Sequence, residues 1–353
     1  MYGRLQSANV IPIFSLYVFL LLLQSASAQL IPALPPIADP ADQRFVGVRE
    51  DWSTPALSTS NLRPMRPLVA YVSDHSEYTV ELLQLQWRWG DPIDLYVLRP
   101  KLIQKPPVVL YLYSYPSDTD TFKDDSWQES VTKGGFAAVG FVSALTGHRY
   151  HDRPMREWFI SDLQECLATT THDLQMVLDY LVSRNDFDMQ RLGVFSQGSG
   201  ASIAILASAV DSRIKVLDTI DPWCDWPTWM AHSPFVPEEE RANYVKPEFL
   251  KNVAALEPID WLRKIQAKKF RLQDAVFESK TPPTAKQKLR EAVPSKGAVV
   301  IYKTPEEFNA MIRSKTELEW IQHALLALPD EDQNNNRAAG ALTLQPQRDK
   351  SIR

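Results

Sequence analysis

Apolar residues in this chain fall into short unbroken runs, separated by longer segments in which they recur every three or four positions. Val108 to Tyr113 and Phe136 to Val142 are continuous apolar runs, as expected for strands buried on both faces. Arg191 to Phe195, Ile214 to Ile220 and Ala298 to Tyr302 read the same way, and Phe270 to Gln273 is a weaker example. Ahead of them, Tyr78 to Trp87 alternates as a half-buried strand. Ile93 to Leu98 returns as its hairpin partner across Gly90-Asp91-Pro92, so regular structure is expected from about Glu77. Between the runs, Ser161 to Arg184 carries Leu163, Leu167, Leu174, Val177, Leu178 and Leu181 on one helical stripe. Ser199 to Val210, Thr281 to Ala292 and Pro305 to Leu328 also read as helices. Strands alternating with helices behind a lead hairpin predict an α/β fold. It is a doubly wound, mostly parallel sheet with an N-terminal antiparallel hairpin.

The ends of the chain read differently. Residues 1–28 have a basic start at Arg4, an apolar run from Ile11 to Leu23 and an Ala26-Ser27-Ala28 cleavage pattern, which predicts a signal peptide. Those 13 apolar residues fall short of the roughly 20 needed to span a bilayer. A secreted or periplasmic protein without a transmembrane anchor after cleavage is the expectation. Residues 29–67 carry seven prolines and read as an extended arm, ahead of a main domain over 68–328. Residues 222–262 lack a strand pattern, hold Trp223, Trp226, Trp229 and Trp261, and read as a cap. From residue 329 the chain is polar and asparagine-rich, and reads as a disordered tail.

Composition narrows the picture. The 353 residues are 44% hydrophobic and 10% aromatic, ample for one packed core. Net charge is −5, or −6 without the first 28 residues, and the acidic balance excludes nucleic acid as a partner. Cys166 and Cys224 are the only cysteines, too few for a disulfide scaffold or a structural zinc site. Two buried thiols or a single bridge remain as readings. No cofactor fingerprint survives. Gly193 to Gly200 has P-loop-like glycines without the lysine, and Gly198-x-Gly200 lacks the third glycine of a dinucleotide site.

The chemistry concentrates in Arg191 to Leu206, where an apolar strand passes through Ser196-Gln197-Gly198-Ser199-Gly200 into a helix of small residues. Strand, sharp turn and helix are the architecture of a nucleophile elbow, G-x-S-x-G. Counted from Gly193, the nucleophile's place falls on Gly198. The competing register makes Ser199 the nucleophile between two glycines, and Ser196 belongs to the strand end. The elbow holds its central residue in a conformation hostile to a β-carbon, at a cost on the order of 1–3 kcal/mol, which glycine relieves.

With this order of elements the chain resembles the α/β-hydrolase superfamily, near secreted acetyl xylan esterases, dienelactone hydrolases and prolyl-oligopeptidase-like enzymes. The resemblance covers roughly residues 77–328. It rests on Arg191 to Ala201, on Asp211-Ser-Arg-Ile-Lys215 before the next strand, and on Leu256-Glu-Pro258. It implies ester or amide hydrolysis by a serine, a histidine and an acid in the order Ser, Asp or Glu, His. The catalytic parts depart from that pattern. The loop after Tyr302 reads Lys303-Thr-Pro-Glu-Glu-Phe308, without the expected histidine, and the later His323 falls in a helix. Asp274 and Glu278 are candidates for the acid, as are Asp221 and Asp225 one strand earlier. The oxyanion segment is Ser114-Tyr-Pro-Ser-Asp-Thr-Asp120, in which Pro116 removes a donor. If Ser199 is the nucleophile, His148 or His151 is the candidate base.

Tyr113, Ser114, Tyr115, Gln197, Trp223 and Trp226 are the expected pocket, which would take a small-molecule, carbohydrate or peptide ligand. The tryptophans read first as a staple between cap and sheet, and second as pocket walls. His148 to Arg153 reads as a polar loop or, less simply, a metal-binding pair, and His172-Asp173 as a polar stripe on the long helix. Two functions follow: a serine-hydrolase-like protein with an incomplete triad, or a non-catalytic protein of the same fold that binds a ligand or partner.

Overall fold

The structure, a computed structural model, describes residues 47–116, 120–145 and 162–329. The signal segment, residues 29–46 of the arm, His148 and His151, and the tail from residue 330 lie outside the described residues. Among the described residues, nine strands form one sheet: β1 (Leu68–Asp74), β2 (Tyr78–Leu85), β3 (Ile93–Pro100), β4 (Pro107–Leu112), β5 (Ala137–Phe141), β6 (Asp188–Gln197), β7 (Val216–Ile220), β8 (Lys269–Ala275) and β9 (Gly297–Tyr302). Their order is β1-β2-β3-β5-β4-β6-β7-β8-β9. β1, β2 and β3 pair antiparallel, β3 meets β5 antiparallel, and every pairing from β5 through β4 to β9 is parallel. This is the hairpin followed by a parallel sheet that the hydrophobic pattern predicts.

Helices cover both faces of the sheet. They are α1 (Asp125–Thr132), α2 (Leu163–Arg184), α3 (Gly198–Val210), the four short helices α4 (Trp226–His232), α5 (Arg241–Tyr244), α6 (Pro247–Ala254) and α7 (Pro258–Leu262), and then α8 (Pro283–Ala292), α9 (Pro305–Ser314) and α10 (Thr316–Leu326). β4 shows how one sequence serves two cores. Val108, Leu110 and Leu112 pack with α2, α3 and the tryptophans of α4. Val109 and Tyr111 point the other way, among residues of α1, α9 and α10. All six residues of β4 are buried, as an unbroken apolar run requires.

Four elements differ from the sequence reading. β1 is a strand ahead of the expected start, although Pro64 and Pro67 precede it and it has no polar alternation. α1 was not foreseen; Asp124 caps it by accepting a hydrogen bond from Trp127 N at 2.7 Å. The last helical segment breaks in two at Lys315, which has φ +57°. β8 is a full buried strand despite Arg271, Gln273 and Asp274. Arg271 donates to both oxygens of the buried Asp218, at 2.9 and 2.6 Å, and Gln273 Nε2 donates to the same carboxylate at 3.1 Å. Burial pushes the Asp218 carboxyl upward against the pull of Arg271 and Gln273.

The largest departure concerns His172 and Asp173, expected as a polar stripe. Both are fully buried. His172 Nδ1 lies 2.7 Å from Glu50 Oε1, and its Nε2 lies 3.1 Å from the Thr54 carbonyl. Asp173 accepts from Trp87 Nε1 at 2.7 Å and from Arg88, whose guanidinium also binds Glu50. Gln175 adds a bond from its Nε2 to the Pro55 carbonyl at 2.8 Å. The described part of the proline-rich arm is therefore fastened to α2 by a buried charged network. A helical wheel cannot distinguish this from a solvated stripe, because the partners lie more than eighty residues away.

Burial alone would raise the Glu50 carboxyl, but hydrogen bonds from Arg88 and His172 and the Arg88 charge outweigh it and hold it at about 2, below the unfolded value of 4.5. A carboxyl lowered by folding contributes stability above its unfolded value, and that contribution is lost as pH falls through 4.5 toward 2. Glu50→Gln should therefore cost on the order of 2–3 kcal/mol at pH 7 and less than half that at pH 3. Urea unfolding of both proteins across this range checks it; a gap independent of pH would contradict the role given to Glu50.

Candidate active site

β6 runs extended through Gln197 (φ −133°, ψ 145°), and the chain then turns at Gly198 with φ +51° directly into α3. Positive φ is the region that favours glycine, and a side chain there is strained whatever the space around it. Two residues on, Gly200 seats the first turn of α3 on the end of β4. A β-carbon at Gly200 would stand 2.5 Å from the Leu112 carbonyl oxygen and 2.8 Å from that of Tyr113. The turn is thus a nucleophile elbow in backbone geometry, with Gly198 at its centre.

The space in front of Gly198 is filled. A β-carbon on Gly198 would lie 2.3 Å from Ser114 Oγ and 2.7 Å from Ser114 Cβ. In an elbow of this kind, oxyanion donors come from the backbone N–H after the nucleophile and from the loop after the neighbouring strand. Here the corresponding groups are Ser199 N and Tyr115 N. Ser199 N points to Ser114 Oγ at 3.5 Å, and Tyr115 N donates to Ser199 Oγ at 2.9 Å. Both donors face hydroxyls of this chain. Ser199 itself is fully buried in the first turn of α3. Ser196 is also buried, with its hydroxyl donating to the Asp218 carbonyl at 3.1 Å.

The candidate acids are equally occupied. Asp221 has φ +46°, and its Oδ1 accepts from Ala275 N at 2.9 Å and from Lys286 Nζ at 3.0 Å. Burial pushes its carboxyl up to about 6, against the pull of Lys286. Asp274 pairs with Arg290 and lies 3.4 Å from Lys286. Asp221, Pro222, Gln273, Asp274, Lys286 and Leu289 close on one another, leaving no room for a water-sized guest. Asp225, at φ +56°, bonds Thr228 Oγ1 and Lys288 Nζ, each at 2.6 Å. Glu278 sits near Lys280, at 3.8 Å. Asp221, Asp225 and Asp274 are each held by a basic side chain of α8, and Asp221 also by a backbone amide of β8.

Four histidines are described, and among the described residues none is hydrogen-bonded to Ser199 or to these acids. His172 is in the arm network, His75 stacks on Tyr78, and His232 and His323 are exposed. The loop after β9 is a helix cap. Thr304 Oγ1 accepts from Glu307 N, and Glu307 accepts from Lys303 N at 2.7 Å.

Trp223 and Trp226, expected in the pocket, are each 1% exposed. Trp223 packs on Trp229 at 4.9 Å and on Phe235 at 5.0 Å, while Trp226 Nε1 donates to the Leu256 carbonyl at 3.0 Å. Tyr113 accepts from Trp127 Nε1 at 2.6 Å, on the α1 side of the sheet. Tyr115, Ser114 and Gln197 are half-buried around the elbow. Ser114, expected in the pocket, instead fills the space before Gly198. Sequence reasoning missed two positions that shape this edge. Lys286 as the partner of the acids had no local signal. Glu257 had one, the Leu256-Glu-Pro258 match: its carboxylate accepts from Asp225 N and Trp226 N at 2.9 Å each and from Ile259 N at 3.2 Å, fixing the start of α4. Cys166 and Cys224 are buried, and burial drives the Cys224 thiol well up.

No protein-family profile matches the chain. It is 25% identical over 173 residues to the Bacillus subtilis protein described as "Putative hydrolase YtaP", and this match spans 44% of the chain and 56% of that relative's length. Among solved structures it is similar to an acetyl xylan esterase from Paenibacillus sp. R4, with a TM-score of 0.59 at 16% identity over 77% of this chain and 90% of that one. A second acetyl xylan esterase, from Thermoanaerobacterium, gives 0.57 at 14% identity over 74% and 89%. The acylaminoacyl peptidase of Pyrococcus horikoshii gives 0.54 at 11% identity over 75% and 51%. At these identities the likeness is one of architecture, and together with the sheet order and the elbow at Gly198 it establishes that this chain has the α/β-hydrolase fold.

Proposed function

We propose that this protein carries the hydrolase fold without serine-hydrolase chemistry, and acts after export as a binding protein for a ligand or partner. The observation that carries this reading is the hydroxyl of Ser114, standing where a side chain on Gly198 would begin. A working elbow needs a nucleophile at that point, an imidazole beside it and open N–H donors in front of it. Gly198 supplies no nucleophile, and Ser114 and Ser199 engage the two donors. Ser199 does not substitute, because its buried oxygen already accepts a backbone hydrogen bond. The half-buried rings of Tyr115 and Phe235, 6.1 Å apart beside the elbow, offer an aromatic surface suited to a sugar or apolar group. The segment up to Ala28 supports export.

A fluorophosphonate serine probe should leave the protein unlabelled, and short acyl esters should turn over at the rate of buffer alone. Loss of a triad member costs several orders of magnitude in enzymes of this kind. Stoichiometric labelling abolished by Ser199→Ala would instead establish a hydrolase, with His148 or His151 as its base.

Gly198→Ser should destabilise the fold by roughly 1–3 kcal/mol without creating activity. Adding Ser114→Gly should return about 1 kcal/mol or more, since the two side chains compete for one space. Denaturant titration of the two single variants and the double variant reads this coupling; strict additivity would show that Ser114 does not fill the site.

A further inference from the structure

Among the described residues, β1 forms one edge of the sheet, with β2 on one side and no strand on the other. Its residues Leu68-Val-Ala-Tyr-Val72 are uncharged, and Leu68, Val69, Tyr71 and Val72 are between 41% and 58% exposed. A long exposed apolar edge is a template for another strand, and soluble proteins normally blunt or cover it. Two blunting devices are present: Pro67 lacks an amide donor, and the ladder to β2 slips by one residue between Val69 and Tyr71. They shorten the usable edge, but they do not place a charge in it.

The charges lie at its two ends and differ in sign. Arg66 precedes the apolar block and Asp74 closes the strand, and both are exposed. In an antiparallel register centred on Ala70, a second β1 sets Leu68 opposite Val72, Val69 opposite Tyr71, and Arg66 opposite Asp74. A twofold axis makes every pair occur twice, so the edge is complementary to itself in both apolar pattern and charge. Asp74 is bonded to Lys101 at 2.7 Å but keeps 73% of its side-chain surface, so an oxygen remains available to a partner. The opposite edge lacks this complementarity. β9 also exposes Val299 and Ile301, but Lys296 and Lys303 flank it, and antiparallel self-pairing would bring like charges together at both ends.

We propose that β1 is a homodimer interface, at which two copies of this chain pair antiparallel about Ala70 and join their sheets edge to edge. A seven-residue strand buries little surface, so the dimer is weak and its assembly depends on concentration. A closed twofold contact also uses up the edge, and so ends association at two copies.

Sedimentation velocity of the purified chain, between about 1 and 100 µM, should show a monomer–dimer equilibrium. Arg66→Asp and Asp74→Arg should each weaken dimerisation by about tenfold, because each turns two attractive pairs into repulsive ones. The double variant Arg66→Asp/Asp74→Arg restores the pairing with signs exchanged, and should return to within about threefold of the original affinity. Circular dichroism of each variant checks that the exposed substitutions leave the fold intact. A chain that stays monomeric throughout, or a dimer indifferent to both single substitutions, would overturn the proposal. So would failure of the double variant to recover, since rescue by exchanged charge is specific to this register.

Discussion

The structure turns on the reversal of the chain at Gly198. A strand in the middle of the sheet must hand over to a helix that packs back across the same sheet, and only a left-handed residue makes that change of direction in one step. Gly198 makes it at φ +51°, and Gly200 lets the first turn of α3 touch the backbone at the end of β4. With α3 fixed there, its apolar residues Ile203, Ile205 and Leu206 join the core shared with α2, and Ser202 reaches the Trp223 carbonyl at 2.7 Å. That bond ties the cap to the elbow. A larger residue at position 200 would lift α3 off β4 and loosen every contact made through it.

Around this turn, polar groups that chemistry would leave open are satisfied internally. An oxyanion donor is useful only while it waits for a developing charge, and an acid only while it orients an imidazole. Tyr115 N is bonded to Ser199, and Asp221 to Ala275 N and Lys286. Buried charges are costly unless paired, so each carboxylate here demands its base, and each base then fixes a helix against the sheet. Asp221, Asp274, Lys286 and Arg290 act in this way to hold α8. These ion pairs make this edge of the sheet a joint between β7, β8 and α8.

Much of the fold was legible because it depends on local periodicity. β4, β5 and α2 declare themselves as an unbroken apolar run or a helical stripe, and their burial follows from the same pattern. The elbow was legible because its glycines sit at fixed spacing from Gly193. What was hidden depends on partners distant in sequence. His172 and Asp173 look like surface residues until Glu50 and Arg88 arrive from elsewhere. The interior Arg271 makes sense only beside Asp218, and its guanidinium lies 4.6 Å from the ring centre of Trp320. Ser114 is an ordinary loop serine until the fold places its hydroxyl over Gly198. β1 was missed for a different reason: an edge strand exposed on both faces has no buried side to impose alternation.

The same physics explains how the elbow holds its shape with glycine at its centre. In a serine hydrolase the strained central residue is tolerated because the reaction needs its hydroxyl at that point. Here glycine removes the strain, yet the turn stays sharp, because its shape is also demanded by the contact of Gly200 with β4 and by the Trp223 amide bonded to the Gly198 carbonyl at 3.4 Å. The space that a nucleophile would occupy does not stand empty, since a void lined by polar atoms forfeits both packing and hydrogen bonds. Ser114 fills it and offers an oxygen toward Ser199 N, while Ser199 accepts from Tyr115 N in return. A glycine at 198 and a serine at 114 are therefore one arrangement, and each is stable because of the other.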